Sequence, residues 1–316
     1  MRWIIFFLYS TLLFGANIAP QSIIEASGSV QSISLGKETI LAGTGAGTLE
    51  IYKLSGASKL NSFSFPLIKD FTGDEVPPKV FSVDVLNNSQ SYLAVVQASS
   101  GARALYKIEN SIPKVVIDAS QNWFITKAKF IDSNRILIAL LSNELILWDI
   151  KNAKALYRTQ LNPSHFSDFA LNEDKNRVAC SCESGEISIV DVTTGKIIRV
   201  LKGGNVDNVY KVDFHRNSVL CAGQDRRGIV YDVKTGNYER FDGSFLIYAG
   251  ALSPNEHLGA FAFNEQNDIV IFDLIKKEPM ATLKGHKSTL NSIIFASNTL
   301  LVSSSDDKSI IIWRLP

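Results

Sequence analysis

The chain has 316 residues, of which 46% are apolar, and its 32 basic residues almost balance its 31 acidic ones, for a net charge of +1. That apolar content can bury one large core or two ordinary ones. A balanced charge without runs of like charge argues against a nucleic-acid binder, which needs a basic face, and against a protein held on an anionic membrane surface.

The N-terminus differs in character from the rest of the chain. Arg2 is followed by a mostly apolar run from Trp3 to Phe14, and then by small and polar residues. This order is typical of a secretory signal peptide, and the apolar run is too short to span a bilayer comfortably. We therefore predict a signal peptide at residues 1–21, cleaved near Ala16 or Ala19, with an uncleaved N-terminal anchor as the alternative.

From residue 22 onward, a large apolar or aromatic residue recurs at a nearly constant spacing. The steps between copies, counted from the C-terminus, are 41, 41, 41, 42, 42 and 54 residues. A period near 41 fits four strands per unit, so seven copies predict seven four-stranded units in one domain over residues 22–316. The recurring residues are Tyr52, Tyr106, Trp148, Val190, Tyr231, Phe272 and Trp313.

The first copy contains two unusual stretches. The longest step holds an insertion at Ile68–Lys79, whose Gly and paired Pro predict a loop. The glycine-rich run Gly43–Gly47 could cradle a phosphate, but a strand rather than a helix follows at Thr48 and no Lys follows the glycines. We therefore interpret this run as a hairpin turn.

Copies three to five hold residues that could do more than pack. Trp123 and Phe124 open the third copy and would anchor a partner if exposed, although packing within the domain is the favoured interpretation. Cys180 and Cys182 share one face of a strand, and Cys221 stands at the equivalent position of the next copy. A disulfide and a weak metal site are both open, and buried free thiols are the favoured interpretation.

The last 34 residues carry the clearest motif. A Gly-His dipeptide, three short apolar strands, an Asp-Asp turn and an ending SIIIW resemble a WD repeat, one blade of a β-propeller. In that family, His, Ser or Thr, Asp and Trp of one blade form a hydrogen-bonded chain. The matching residues here are His286, Ser292, Asp307 and Trp313, and the resemblance implies a structural network rather than a metal or catalytic site.

The resemblance implies an all-β fold, a single seven-bladed propeller. The last copy ends at its third strand, and in this family an N-terminal strand commonly supplies the fourth and closes the ring. The short apolar stretch Ser22–Ala26 is the candidate for that closing strand. Because the complete four-residue motif occurs only in the last copy, we expect the blades to be held mainly by apolar packing between sheets.

The resemblance also suggests a binding surface. In WD repeats, the residue just before the turn Asp lies on the face where partners often dock. Four of the matching residues, three of them acidic, form our candidate partner-binding face, which would suit a positively charged partner; solvated hairpin tips are the alternative. They are Glu183, Gln224, Glu265 and Asp306.

No GxSxG, HExxH or paired CxxC motif occurs, so we assign no catalytic, metal-binding or cofactor-binding residue and predict a monomeric, non-enzymatic interaction scaffold. The leader and the compact domain are similar to the NapL family, periplasmic accessory proteins of some bacterial nitrate reductase systems. That similarity implies a periplasmic protein, not inserted in a membrane after cleavage, whose partners are nitrate reductase components. The alternatives are a propeller enzyme, either a hydrolase or a quinoprotein-type oxidoreductase, and an outer-membrane assembly factor.

Overall fold

The structure is a computed structural model that describes residues 15–86, 90–99 and 101–316. Most of the predicted signal peptide, residues 1–14, lies outside the described residues. The described part of the chain contains no α-helix and one single-turn 3-10 helix, at Ala119–Gln121. It therefore contains no helix long and apolar enough to cross a membrane.

The strands form seven blades, and each blade has four strands in sequential order from the channel outward. Two strands precede the first blade: β1 (Ala16–Ile18) and β2 (Ser22–Glu25). The first blade consists of β3 (Val30–Leu35), β4 (Thr39–Thr44), β5 (Thr48–Lys53) and β6 (Lys59–Ser64). A small hairpin follows, made of β7 (Ile68–Lys69) and β8 (Glu75–Val76).

The middle blades repeat this order. The second blade consists of β9 (Val80–Val85), β10 (Tyr92–Gln97), β11 (Arg103–Glu109) and β12 (Ile112–Ile117). The third consists of β13 (Ile125–Phe130), β14 (Arg135–Leu140), β15 (Glu144–Asp149) and β16 (Lys154–Gln160). The fourth consists of β17 (Phe166–Leu171), β18 (Arg177–Cys182), β19 (Ile187–Asp191) and β20 (Ile197–Leu201).

The last three blades complete the ring. The fifth consists of β21 (Val209–His215), β22 (Ser218–Gly223), β23 (Arg227–Asp232) and β24 (Tyr238–Asp242). The sixth consists of β25 (Gly250–Leu252), β26 (Leu258–Ala262), β27 (Ile269–Asp273) and β28 (Glu278–Leu283). The seventh consists of β29 (Leu290–Ser297), β30 (Leu300–Ser305) and β31 (Ser309–Arg314), with β2 as its outer strand.

The core lies between the blades rather than within one central cluster. One apolar cluster fills each of the seven interfaces between neighbouring sheets, including the interface between the last blade and the first. The strands in the middle of each sheet are buried on both faces and therefore read as continuous apolar runs, as in the sequence ILIAL of β14. The expected dependence on packing between sheets is confirmed.

Ring closure follows the prediction. Strand β2 pairs antiparallel with β31, so that Ser22 lies opposite Ile312 and Glu25 lies opposite Ser309. Ile24 is buried in the interface between the last and first blades at 4% exposure, while the neighbouring Ile23 is 61% exposed. This alternation is what a half-buried outer strand requires.

Two features near the N-terminal half differ from the predicted pattern. Strand β1 pairs in parallel with β28, which gives the sixth blade a fifth strand. The insertion at Ile68–Lys79, predicted as a loop, contains the hairpin of β7 and β8, because the Asp70 carboxylate accepts the backbone N–H groups of Thr72 and Asp74 and so holds a tight turn. Phe71, at the tip of this hairpin, is fully exposed.

Candidate partner-binding face and central channel

The hydrogen-bond network of the last blade runs from its turn into its core. Nε2 of His286 lies 2.7 Å from Oγ of Ser303, and Nε1 of Trp313 donates to the same oxygen at 2.7 Å. Nδ1 of His286 lies 2.9 Å from Oγ of Ser309, whose hydroxyl donates to Asp307. The imidazole and the indole are both buried, so this network ties β30 and β31 to the connection that leads into β29.

The sequence analysis placed the wrong serine in this network. Ser292 lies on the innermost strand β29, opposite Ser304, and its side chain lines the central channel. Ser303 lies on β30, the middle strand that pairs with β31, and this position brings its hydroxyl between the rings of His286 and Trp313. Both serines fit the spacing of the motif, and only the strand register separates them.

Asp307 is the charged member of the network. Burial alone raises the pKa of the Asp307 carboxyl, but hydrogen bonds from His286, Ser309 and the backbone N–H of Lys287 hold that pKa well below its usual range. The carboxylate therefore stays ionised in the folded protein near neutral pH, where it accepts the backbone N–H groups of Lys287 and Ser309 and holds the turn.

Two other blades contain buried polar networks made of different residues. In the fifth blade, Nδ2 of Asn205 donates to the Asp225 carboxylate at 3.0 Å, and Asp225 also accepts the backbone N–H of Val206. In the first blade, the fully buried Glu50 accepts from the Tyr52 hydroxyl at 2.6 Å and pairs with Lys59. Asn205 precedes its turn Asp by nearly the same distance in sequence as His286 does, a signal that the sequence analysis missed.

One face of the ring is formed by the turns between the second and third strands and by the connections between blades; we call it the turn face. These two sets of segments are hydrogen-bonded to each other. The backbone N–H of Leu141 donates to the carbonyl of Phe124, and that of Glu183 donates to the carbonyl of His165. Antiparallel strands within each blade place all these segments at the same end of the sheets.

The candidate residues of the partner-binding face all lie at turn tips on the turn face, but they differ in exposure and in hydrogen-bond partners. Glu183, Glu265 and Asp306 are exposed. The imidazole of His165 lies 3.2 Å from the Glu183 carboxylate, and the Asn291 amide donates to Asp306 at 2.8 Å. Gln224 is half-buried and accepts the Tyr210 hydroxyl at 2.8 Å. The acidic tips occupy the fourth, sixth and seventh blades.

Exposed apolar side chains also lie on the turn face at the first three blades, among exposed charged residues such as Lys69 and Glu75. Phe124 is 45% exposed and Leu141 38% exposed, both at the third blade. Leu67 and Phe71 extend the apolar area from the connection between the first and second blades. Trp123 packs edge-on against Trp148, in agreement with the favoured interpretation that it packs within the domain. Of Trp123 and Phe124, Phe124 is therefore the exposed residue.

A cavity of about 480 Å³ runs along the central channel and is lined by the innermost strands of all seven blades. Its charged side chains come from four consecutive blades, the second to the fifth. They are Asp84, Lys127, Lys129, Asp168, Glu173, Lys175, Lys211 and Asp213, with the imidazole of His215 beside them. Six of the eight lie on the innermost strands, whereas Glu173 and Lys175 lie in the turn after β17.

The three channel aspartates join neighbouring blades. Asp84 accepts the backbone N–H of Phe130 at 2.8 Å, and Asp213 accepts that of Leu252 at 2.8 Å. Asp168 accepts the N–H of Val212 at 3.2 Å. In each case the acceptor lies on one innermost strand and the donor lies on the innermost strand of the next blade. Because no further strand lies on the channel side, these backbone N–H groups have no strand to pair with, and the carboxylates accept them instead.

The channel lysines differ in their partners. Nζ of Lys129 contacts Asp84 at 2.9 Å, Ser34 at 3.2 Å and the carbonyl of Val83 at 3.2 Å, so all three of its donors are used. Nζ of Lys127 lies 2.6 Å from Asp168. Burial lowers the pKa of both Lys129 and Lys211.

The three cysteines are free and buried. Cys180 belongs to the core between the third and fourth blades, whereas Cys221 belongs to the core between the fourth and fifth. Burial raises the pKa of both thiols, so they behave as apolar side chains. Among the described residues, no group of three or more His, Cys, Asp or Glu side chains could hold a metal ion.

Comparison with protein-family models agrees with this architecture. The family model of the WD domain, G-beta repeat, matches residues 277–314, which span the outer strand of the sixth blade and the seventh blade up to Arg314. The match covers the hydrogen-bonded network described above, and the same blade architecture recurs seven times around the ring. The last blade therefore matches the WD repeat, and the chain as a whole is a seven-bladed β-propeller.

Proposed function

We propose that this propeller is an exported interaction scaffold that binds a protein partner through the turn face. WD-repeat propellers generally mediate protein–protein interaction. The observation that carries the proposal is that the turn face presents exposed apolar side chains, Phe71, Phe124 and Leu141, together with exposed acidic turn tips, Glu183, Glu265 and Asp306. Aromatic anchors beside a charged rim are the usual composition of protein interfaces.

The exposed acidic turn tips, Glu183, Glu265 and Asp306, suit a partner with a basic patch. Exposed charges at an interface mainly raise the association rate and select the partner, whereas buried aromatic anchors supply most of the affinity. We therefore expect the two kinds of residue to contribute differently. The acidic tips should determine how strongly binding depends on salt, and Phe71 and Phe124 should determine the lifetime of the complex.

We further propose that the protein acts in the periplasm and that the partner belongs to a nitrate reductase system. This finer proposal is supported by the signal-peptide pattern of residues 1–21 and by the similarity of the leader and compact domain to the NapL family. It assigns the scaffold to the assembly of the reductase or to its electron supply.

Affinity capture from periplasmic extract tests both levels of the proposal. A tagged wild-type chain should enrich nitrate reductase components, identified by mass spectrometry, and a variant with Glu183, Glu265 and Asp306 changed to Lys should lose them. The control changes three exposed acidic residues outside the turn face, Glu38, Asp174 and Glu278, to Lys. Enrichment of other proteins that depend on the turn face would overturn only the nitrate reductase assignment. Equal losses in both variants would overturn the turn face as the binding surface.

A further inference from the structure

One lysine of the channel lacks a direct partner. Among the described residues, Nζ of Lys211 has no hydrogen bond and no carboxylate oxygen within 4 Å, although its side chain lines the cavity. The charge of Asp168 attracts Lys211, and the ammonium groups of Lys127 and Lys129 repel it. Asp168 itself is bonded to Lys127 and to the N–H of Val212, and Asp213, two residues from Lys211, accepts the N–H of Leu252.

The opposite wall of the channel is uncharged and rich in hydroxyl groups. Ser32 on β3 and Ser292 on β29 line the cavity, and neither hydroxyl makes a hydrogen bond within the described residues. A cavity of about 480 Å³ lies within the range of about 300–1,000 Å³ that small-molecule sites occupy. The channel therefore combines an unpaired cation, a second cation beside it and free hydroxyl donors facing them.

We propose that the channel binds a small anion bearing a phosphate or carboxylate group, with Lys211 and Lys127 as its cationic contacts and Ser32 and Ser292 as hydroxyl donors. Lys211 is half-buried, so its ammonium group has lost part of its hydration, which a counterion can replace. An oxyanion between the two lysines supplies the missing negative charge and accepts several charge-assisted hydrogen bonds. The aspartates remain with the backbone N–H groups that they accept, so binding leaves the ring intact. This site is separate from the turn face and does not depend on the identity of the protein partner.

Titration calorimetry on the chain starting at Ser22 tests the site, with sodium phosphate and sodium citrate as probes and sodium chloride of equal ionic strength as the reference. At least one probe should bind saturably, one per chain, and Lys211→Met should weaken that binding at least about tenfold because it removes a charge-assisted contact. Lys202→Met, an exposed lysine on the connection before the fifth blade, is the matched control and should bind like the wild type. Phosphate binding alone would identify an inorganic or phosphorylated ligand, and citrate binding alone a carboxylic acid.

Thermal melts in chloride buffer separate a ligand site from a structural lysine. Lys211→Met should melt at or above the wild-type temperature without probe, because it removes an unpaired, half-buried charge, and phosphate or citrate should raise the melting temperature of the wild type only. The proposal is overturned if neither probe binds saturably, if Lys211→Met binds like the wild type, or if Lys211→Met melts below the wild type or fails to fold in chloride.

Discussion

Ser303 is the residue on which the network of the last blade converges, since it contacts both Nε2 of His286 and Nε1 of Trp313. Ser303→Ala leaves the buried indole N–H without an acceptor, and we expect the free energy of unfolding to fall by about 1–3 kcal/mol in urea melts. Ser292→Ala is the matched control on the channel wall and should stay within about 0.5 kcal/mol of the wild type. Equal effects would mean that Ser303 is not the centre of the network.

Asp307 makes the stability of the fold depend on pH in the acid range. Its pKa is lower in the folded protein than the value of about 3.9 expected for an unfolded chain, so its contribution is present above the unfolded pKa and lost as pH falls below it. Urea melts between pH 7 and pH 3 should show a steeper loss of stability for the wild type than for Asp307→Asn. Parallel curves for the two proteins would contradict this assignment.

Asp168 should be the most costly channel residue to remove. Asp168→Ala leaves Lys127 without its partner and the N–H of Val212 without an acceptor, and breaking a buried ion pair costs about 3–5 kcal/mol. The double variant Lys127→Met with Asp168→Ala should recover part of that loss, because it no longer buries an unpaired ammonium. Losses that simply add in the double variant would show that the pair is not coupled.

At this scale the sequence predicts residues held in a motif better than residues placed by register. The dipeptide and turn of the last blade point to His286, Asp307 and Trp313, whose spacing the motif restricts. Predicting the roles of Ser303 and of the channel lysines requires knowledge of which strand of each blade is innermost. A charged residue such as Lys211, at every second position of a strand, reads the same whether it faces solvent or a channel.

Among the elements, β2 has the clearest role, because this N-terminal strand supplies the outer strand of the last blade and pairs with β31. A chain starting at Ser27 lacks this strand, exposes the edge of β31 and loses the burial of Ile24. We expect its free energy of unfolding to fall by at least about 1.5–3 kcal/mol, the contribution of one buried Ile, and the protein to associate through the open edge. Melts and sedimentation against a chain starting at Ser22 measure both effects.

A second change tests whether any shortening of the chain has the same effect. Replacing residues 68–76 by two glycines removes the small hairpin, which pairs only with itself, and should change stability little because loop length affects closure entropy weakly. A chain starting at Ser27 that melts like the chain starting at Ser22 and stays monomeric would refute closure by β2.

Element boundaries followed from the sequence wherever strands are buried on both faces. Six of the seven recurring residues pair with the second residue of the neighbouring strand and Tyr106 pairs with the third, so the period located the third strand of every blade correctly. Strand β1 and the hairpin of β7 and β8 were missed because they are short and pair at the edge of the structure, where little apolar surface is buried.

In the whole molecule, different parts of the chain stabilise the ring and form its exposed face. Apolar clusters at the blade interfaces and aspartates along the channel hold the blades together. The turn face is built from turns and connections that make few of those contacts, so its residues are free to differ between blades. That freedom explains why the turn tip is apolar at Leu141 and acidic at Glu183 and Asp306 while the blades remain alike.

Site-specific photo-crosslinking in the native host tests the central claim, binding of one partner through the turn face. A photoreactive phenylalanine analogue replaces Phe71 and Phe124 on the turn face, and Glu38 and Asp174 outside it, in separate variants. We predict that the two turn-face positions crosslink to the same protein and that the other two positions give no such product. Crosslinks to that protein from Glu38 or Asp174 but from neither turn-face position would contradict the account.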